Sequence, residues 1–197
     1  MRSTAVVLAV VCLVLTACGG GPRPGEARNT HAHAPAAAPM SAPTSAVAVL
    51  APTAGSNVAG VLRFLERDGK VLIIGDVTGL SADARHAIHI HEYGDGSAAD
   101  GTAAGDHYNP EGHPHAGLDT AHRHAGDLGN LLADAAGACH LEISVDNLTI
   151  AGARNPILGR AVVIHAKADD LTSQPAGNAG PRIAVGVIGI AQPPAKP

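Results

Sequence analysis

The sequence predicts an all-β sandwich or barrel, and three observations carry that expectation. Short apolar runs rich in Val and Ile recur between Gly-rich stretches from Ala46 onward, with no long helical period among them. An Asp68-Gly69 pair lies between two such runs, a strong hairpin signal because a type I′ turn needs positive φ at both central residues. Two Tyr, one Phe and no Trp leave Val, Ile, Leu and Ala to build the core, which favours strands.

Taken in order, the elements begin with a segment that does not belong to the fold. Arg2 precedes the apolar run "AVVLAVVCLVLTA" at residues 5–17, too short for a bilayer span and of the length of a signal h-region. Its ending "LTAC" resembles a bacterial lipoprotein signal, which implies removal of residues 1–17 and lipidation of Cys18; a plain signal peptidase site near Ala17 is the alternative. Residues 18–45 are Pro-, Gly- and Ala-rich without an apolar face, so they read as a tether, and His31 and His33 lie in it. Residues 46–192 form one domain without internal repeats, and 193–197 a tail. Within the domain, "NVAGVLRFLERDGKVLIIGDV" supplies a hairpin, and "HAIHIHE", "CHLEISV", "RAVVIHA" and "RIAVGVIGI" supply further strands. A net charge of −4 gives no basic footprint for nucleic acid or for anionic lipid.

The chemistry lies in the histidines, of which there are twelve. In "HIH" the strand period of two puts His89 and His91 on one face and Ile90 on the other, so two rings can meet one metal without backbone distortion. Residues 106–127, "DHYNPEGHPHAGLDTAHRHAGD", add five more rings. His165 ends the apolar run "AVVI". An all-imidazole set suits Cu(II), and three His with one Asp suit tetrahedral zinc.

"HIHEYGD", "GDHYNP", "HRHAGDLGN", "VVIHAKADD" and "GNAGPRIAVGVIGIAQ" resemble the copper/zinc superoxide dismutase family, and the resemblance runs from Ala46 to Gln192. It implies a Greek-key β-sandwich, a flattened eight-stranded barrel with long metal-binding loops. It implies His89, His91, His107 and His165 as copper ligands, and His107, His115, His124 and Asp127 as zinc ligands, with His107 bridging both metals. The zinc spacing is distinctive: eight residues from His107 to His115, nine to His124, three to Asp127. His113 and His122 have no family role, though each stands two residues from a zinc ligand and could replace it. His86 and His140 read as structural or exposed. Asp169 matches a carboxylate that hydrogen-bonds ligand histidines of both metals, whereas Asp170 reads as a surface acid. Arg182 matches the guanidinium that holds the anionic substrate.

The implied activity is dismutation of superoxide to oxygen and hydrogen peroxide by a cycling copper, with His107 leaving copper on reduction and carrying a proton. The implied setting is the bacterial cell envelope, with the protein lipid-anchored, facing the periplasm or exterior, and protecting the envelope from oxidative stress. "GVIGIAQ" at residues 186–192, Gly94 and "ILGR" at residues 157–160 resemble the apolar patch of two-fold homodimers. Two departures stand out. Gly101 and Val185 occupy the positions of the family's disulfide, and Cys139 lies elsewhere, so no intrachain bridge is expected and the hold on the loop before His107 comes into question. The segment between His165 and Arg182 carries Lys167 against two acids, so steering of an anion should be weak. The rival expectation is a non-catalytic copper/zinc-binding or metal-delivery lipoprotein of the same fold, which His31, His33, His113 and His122 would suit. Arg182 argues against it, because storage needs no substrate anchor.

Overall fold

The computed structural model describes residues 41–192; residues 1–17, Cys18, the tether through His31 and His33, and the tail 193–197 lie outside them. Eight strands follow in order: β1 (Ser45–Pro52), β2 (Ala59–Arg67), β3 (Lys70–Thr78), β4 (Arg85–His91), β5 (Asp127–Leu132), β6 (Cys139–Val145), β7 (Ala161–His165) and β8 (Arg182–Ile190). Every pairing is antiparallel, in the order β5-β4-β7-β8-β1-β2-β3-β6, and the sheet curls into a nearly closed barrel. The long connections β3–β6 and β4–β7 make it a Greek key.

The β2–β3 hairpin closes where the sequence places it. Arg67 pairs with Lys70, and Asp68 and Gly69 take φ of 50° and 71°, both positive as a type I′ turn requires. Two strands had no separate signal. β1 is a small-residue run, and β5, "DLGNLL", mixes Asp, Gly and Asn with its leucines, so pairing with neighbours outweighs its weak propensity.

The core is aliphatic around the single Phe64, with Leu62, Ile73, Ile88, Ile90, Leu131, Ile164 and Ile188 fully enclosed. The alternation along β4 and β7 decides where the site goes. Ile88 and Ile90 of β4 and Val162 and Ile164 of β7 join the main core, so His89, His91, Ala161, Val163 and His165 face the opposite side. That side is covered too, by the 92–126 and 166–181 loops, which is why nearly all of β4 and all of β7 is buried. The sheet is not regular here: the β4–β5 register shifts between Ala87 and His89, and the β7–β8 register between Ile164 and His165. The irregularities fall at the two ring-bearing positions, where a bulge re-aims a side chain.

Candidate metal centre

The 92–126 loop returns to the barrel at β4. Tyr108 N donates to Ile90 O at 2.8 Å, Ile90 N to Gly126 O at 2.8 Å, and Gly126 N to Tyr108 O at 2.9 Å. His107 thereby pairs across from His91 as an isolated antiparallel bridge. Gly126 must lack a side chain, because a Cβ there would run into the Ile90 carbonyl.

Two sets of donors result, each with its ligand atoms all within 4.8 Å of one another: His89, His91, His107 and His165; and His107, His115, His124 and Asp127. All seven residues are buried. His107 belongs to both. In the second set Asp127 Oδ1 lies 2.9 Å from His107 Nδ1, 3.0 Å from His115 Nδ1 and 3.2 Å from His124 Nδ1, and the two Nδ1 atoms of His107 and His124 are 3.4 Å apart. A tetrahedron with zinc–ligand bonds of about 2.0–2.1 Å has edges of about 3.3–3.4 Å, so these separations fit that ion with small adjustment. In the first set His91 Nε2 and His165 Nε2 are 3.4 Å apart. Two buried ring nitrogens, His89 Nδ1 and His107 Nε2, have no hydrogen-bond partner. A buried nitrogen without a partner is costly unless a cation takes its lone pair. The donor chemistry therefore fits copper on one side and zinc on the other.

The other ring nitrogens are fixed from outside. His91 Nδ1 faces Gly105 O at 2.9 Å and His165 Nδ1 faces Gly180 O at 3.0 Å. Asp169 spans both sets, accepting from His89 Nε2 and His115 Nε2, each at 2.9 Å, and from Leu171 N at 2.7 Å. Such partners set which nitrogen points inward.

Electrostatics divides the two sides. Burial lowers His91 to about 2, His165 to about 3 and His89 to about 4, so these imidazoles are neutral with lone pairs free. Burial also opposes charge on His115, yet Asp127 and Asp169 outweigh it and raise the ring to about 9. Asp127 and Asp169 stay well below the usual carboxylate range, since hydrogen bonds from the rings overcome their own burial. On one side His89, His91 and His165 are uncharged; on the other the Asp127 carboxylate faces a His115 ring that it holds protonated.

A cleft of about 490 Å³ opens on the first set, lined by His91, His107, His165, Asp106, Glu92 and Arg182. Arg182 donates through Nη1 to Gly101 O and through Nη2 to Gly105 O, both at 2.6 Å, and Thr53 Oγ1 donates to its carbonyl at 2.7 Å. Held flat against the loop, the guanidinium faces the cleft as a fixed cation suited to a small anion.

Of the remaining predicted positions, Gly101 and Val185 do meet: a Cβ on Gly101 would lie 2.8 Å from Val185 Cγ2. That contact, the two Arg182 bonds and Ala54 N to Ala99 O at 2.7 Å tie down the loop whose hold was in question. Cys139 is buried in β6, where burial pushes its thiol pKa up. His113 and His122 lie outside both sets, on the solvent side. His140 is exposed beside Asp76, and His86 is buried, facing His165 O through Nδ1 at 2.9 Å and accepting from Ser81 N through Nε2 at 3.2 Å.

Sequence reasoning missed the supports behind the rings. Asn130 donates to Asp169 O at 2.9 Å and accepts from Asp169 N at 2.7 Å. Gln174 accepts from His115 N and donates to His115 O, both at 2.8 Å. Asn130 stands inside the motif "HRHAGDLGN" and could have been singled out; Gln174, in a loop with no periodic signal, could not.

Comparison with known proteins follows the same lines. The family model described as copper/zinc superoxide dismutase matches residues 58–188. The Cu-Zn superoxide dismutase of Schizosaccharomyces pombe is 46% identical over 154 residues, covering 74% of this chain and 97% of its own. That of Paramecium bursaria Chlorella virus 1 is 43% identical over 157 residues, covering 76% and 80%. The crystal structure of the clock protein EA4 superposes with a TM-score of 0.71 at 36% identity, covering 79% of this chain and 99% of that one.

Proposed function

The chain belongs to the copper/zinc superoxide dismutase family, and from that premise we propose that its two buried donor sets are the metal centres of an enzyme anchored at the cell envelope. It converts superoxide to oxygen and hydrogen peroxide, with copper and zinc as cofactors. His89, His91, His107 and His165 would hold copper; His107, His115, His124 and Asp127 would hold zinc. The observation that carries this assignment is the sharing of His107 between two four-residue donor sets. Copper supplies the one-electron exchange in both half-reactions, and zinc, with a filled d shell, takes no part in redox.

The chain's own residues do the rest. Arg182 draws the anion into the cleft and orients it with the three N–H donors not committed to Gly101 and Gly105. His107 Nε2, buried and otherwise unpartnered, is the atom that takes up a proton and passes it to the departing peroxide. His91 and His165 stay neutral at ordinary pH, so neither competes for that proton. Asp169, Asn130 and Gln174 keep the rings aimed. The test is superoxide consumption by protein loaded with copper and zinc, beside Arg182→Ala. Wild-type protein that is inactive with both metals bound would favour the metal-delivery alternative.

Anchoring rests on the "LTAC" ending before Cys18 and on the tether that follows it. Lipid attachment there would hold the domain at the envelope surface, where it removes superoxide arriving from the surroundings. Membrane fractionation checks this: Cys18→Ser should release the protein, and a variant that stays in the membrane fraction defeats the anchor. A two-fold dimer is the proposed assembly. Gly94, Gly159 and Val187 come together, a Cβ on Gly94 meeting Val187 Cγ1 at 3.0 Å, and Val49, Val187 and Ile190 expose apolar side chains nearby on β1 and β8. A monomer mass in sedimentation at micromolar concentration would count against it.

A further inference from the structure

Outside the two buried sets, a third group of metal-type side chains lies on the solvent side of the 92–126 loop. The rings of His113 and His122 stand 5.0 Å apart, centroid to centroid, tilted by 67°. Glu111 Oε2 lies 3.3 Å from His113 Nε2. Within the buried sets the ring centroids stand between 3.9 and 6.4 Å apart, and 5.0 Å lies inside that span. Bond lengths give the same answer. Two imidazoles on one ion at about 2.0–2.1 Å, at right or tetrahedral angles, bring their centroids to about 4.5–5.2 Å.

The group is braced from behind. Asn109 Nδ2 donates to His113 O at 2.8 Å, and His113 N donates to Asn109 Oδ1 at 3.0 Å. Asn155 Nδ2 donates to Glu111 Oε1 at 3.2 Å, and Arg154 Nε lies 3.6 Å from the same oxygen, which leaves Oε2 turned to His113. The side chains of His113 and Glu111 are 29% and 33% exposed, so an ion can reach them from solvent. Two His and one Glu are a donor set that zinc accepts with a position left for water. Among the described residues only the buried sets gather every donor within 4.8 Å, so the donors of this third group converge less tightly.

We propose that Glu111, His113 and His122 form a third, solvent-facing and exchangeable site for a divalent ion of the zinc type. It stands two residues along the chain from His115 and from His124, and it is independent of the dismutase chemistry. The test is equilibrium dialysis of the full-length protein, buried sites filled, against Zn(II). Wild type should hold one additional zinc per chain that a mild chelator removes. His122→Ala, a change at an exposed side chain, should weaken that ion at least tenfold, and the double variant His113→Ala/His122→Ala should abolish it. Glu111→Gln should weaken it severalfold, and all three should retain superoxide consumption. A His31→Ala/His33→Ala variant should keep the extra ion. The proposal is overturned if wild type binds no extra zinc, if His122→Ala binds it with unchanged affinity, or if only the His31/His33 variant loses it.

Discussion

Replacing Asp169 by alanine removes one side chain and touches both metals. The carboxylate accepts from His89 on one side, from His115 on the other, and from the Leu171 amide beneath. Loss of a partner of this kind typically weakens metal affinity by about 10–100-fold, or about 1.4–2.7 kcal/mol. Since each set contributes one ring, Asp169→Ala should incur that loss twice, once for copper and once for zinc. Asp169→Asn should be uneven: its amide oxygen can still accept from one ring, while its NH2 confronts the N–H of the other. The assay is metal content by mass spectrometry after dialysis against a graded chelator, with circular dichroism to follow the fold. Superoxide consumption should return to within a few-fold of wild type when copper and zinc are supplied in excess, because the donors and Arg182 remain. A folded alanine variant that retains both metals at wild-type affinity refutes the bridging role.

Arg182→Ala deletes a charge-assisted contact to the anion worth about 1.5–3 kcal/mol, so the rate constant should fall by about 10–150-fold with metal content unchanged. Gly101→Ala puts a Cβ at φ 76° against Val185, and thermal unfolding should report a loss of about 1–2 kcal/mol. Added salt should lower the rate only weakly, because Glu92 and Asp106 line the cleft with Arg182; a steep fall would show strong steering. Metal-stripped protein should unfold at its highest temperature near pH 6.5. Below that, the depressed pKa values of His89, His91 and His165 mean that unfolding takes up protons and their stability contribution is lost as pH falls toward about 4 to 2. Above it, the raised pKa of His115 means that its contribution, full below 6.5, is lost as pH rises through about 9. A stability that climbs steadily from pH 5 to 9 would contradict that balance.

Much of this was legible in the chain because it is written in short-range codes. Period two sorted His89 and His91 from Ile90, and Asp68-Gly69 fixed a hairpin. The family resemblance pointed to His115 and His124, but their neighbours His113 and His122 share the same residue type two positions away, and it is the fold that separates the pairs. What stayed hidden depends on contacts between distant segments. Gln174 reaches back 59 residues to His115, and His86 reaches 79 residues forward to the His165 carbonyl. No local pattern marks a residue whose role is to hold another residue's backbone. β5 escaped for a related reason, since its pairing with β4 and not its composition makes it a strand.

The contact between Gly101 and Val185 bears on where such a protein can mature. A sulfur link at this place would need an oxidising step before the loop was secured. Here the loop is secured by a valine methyl and a guanidinium, and the described part of the chain contains one thiol, enclosed in β6. Dithiothreitol or glutathione has no bond to cut at that junction. The hold on the loop at that junction is thereby independent of the electron balance of the surroundings.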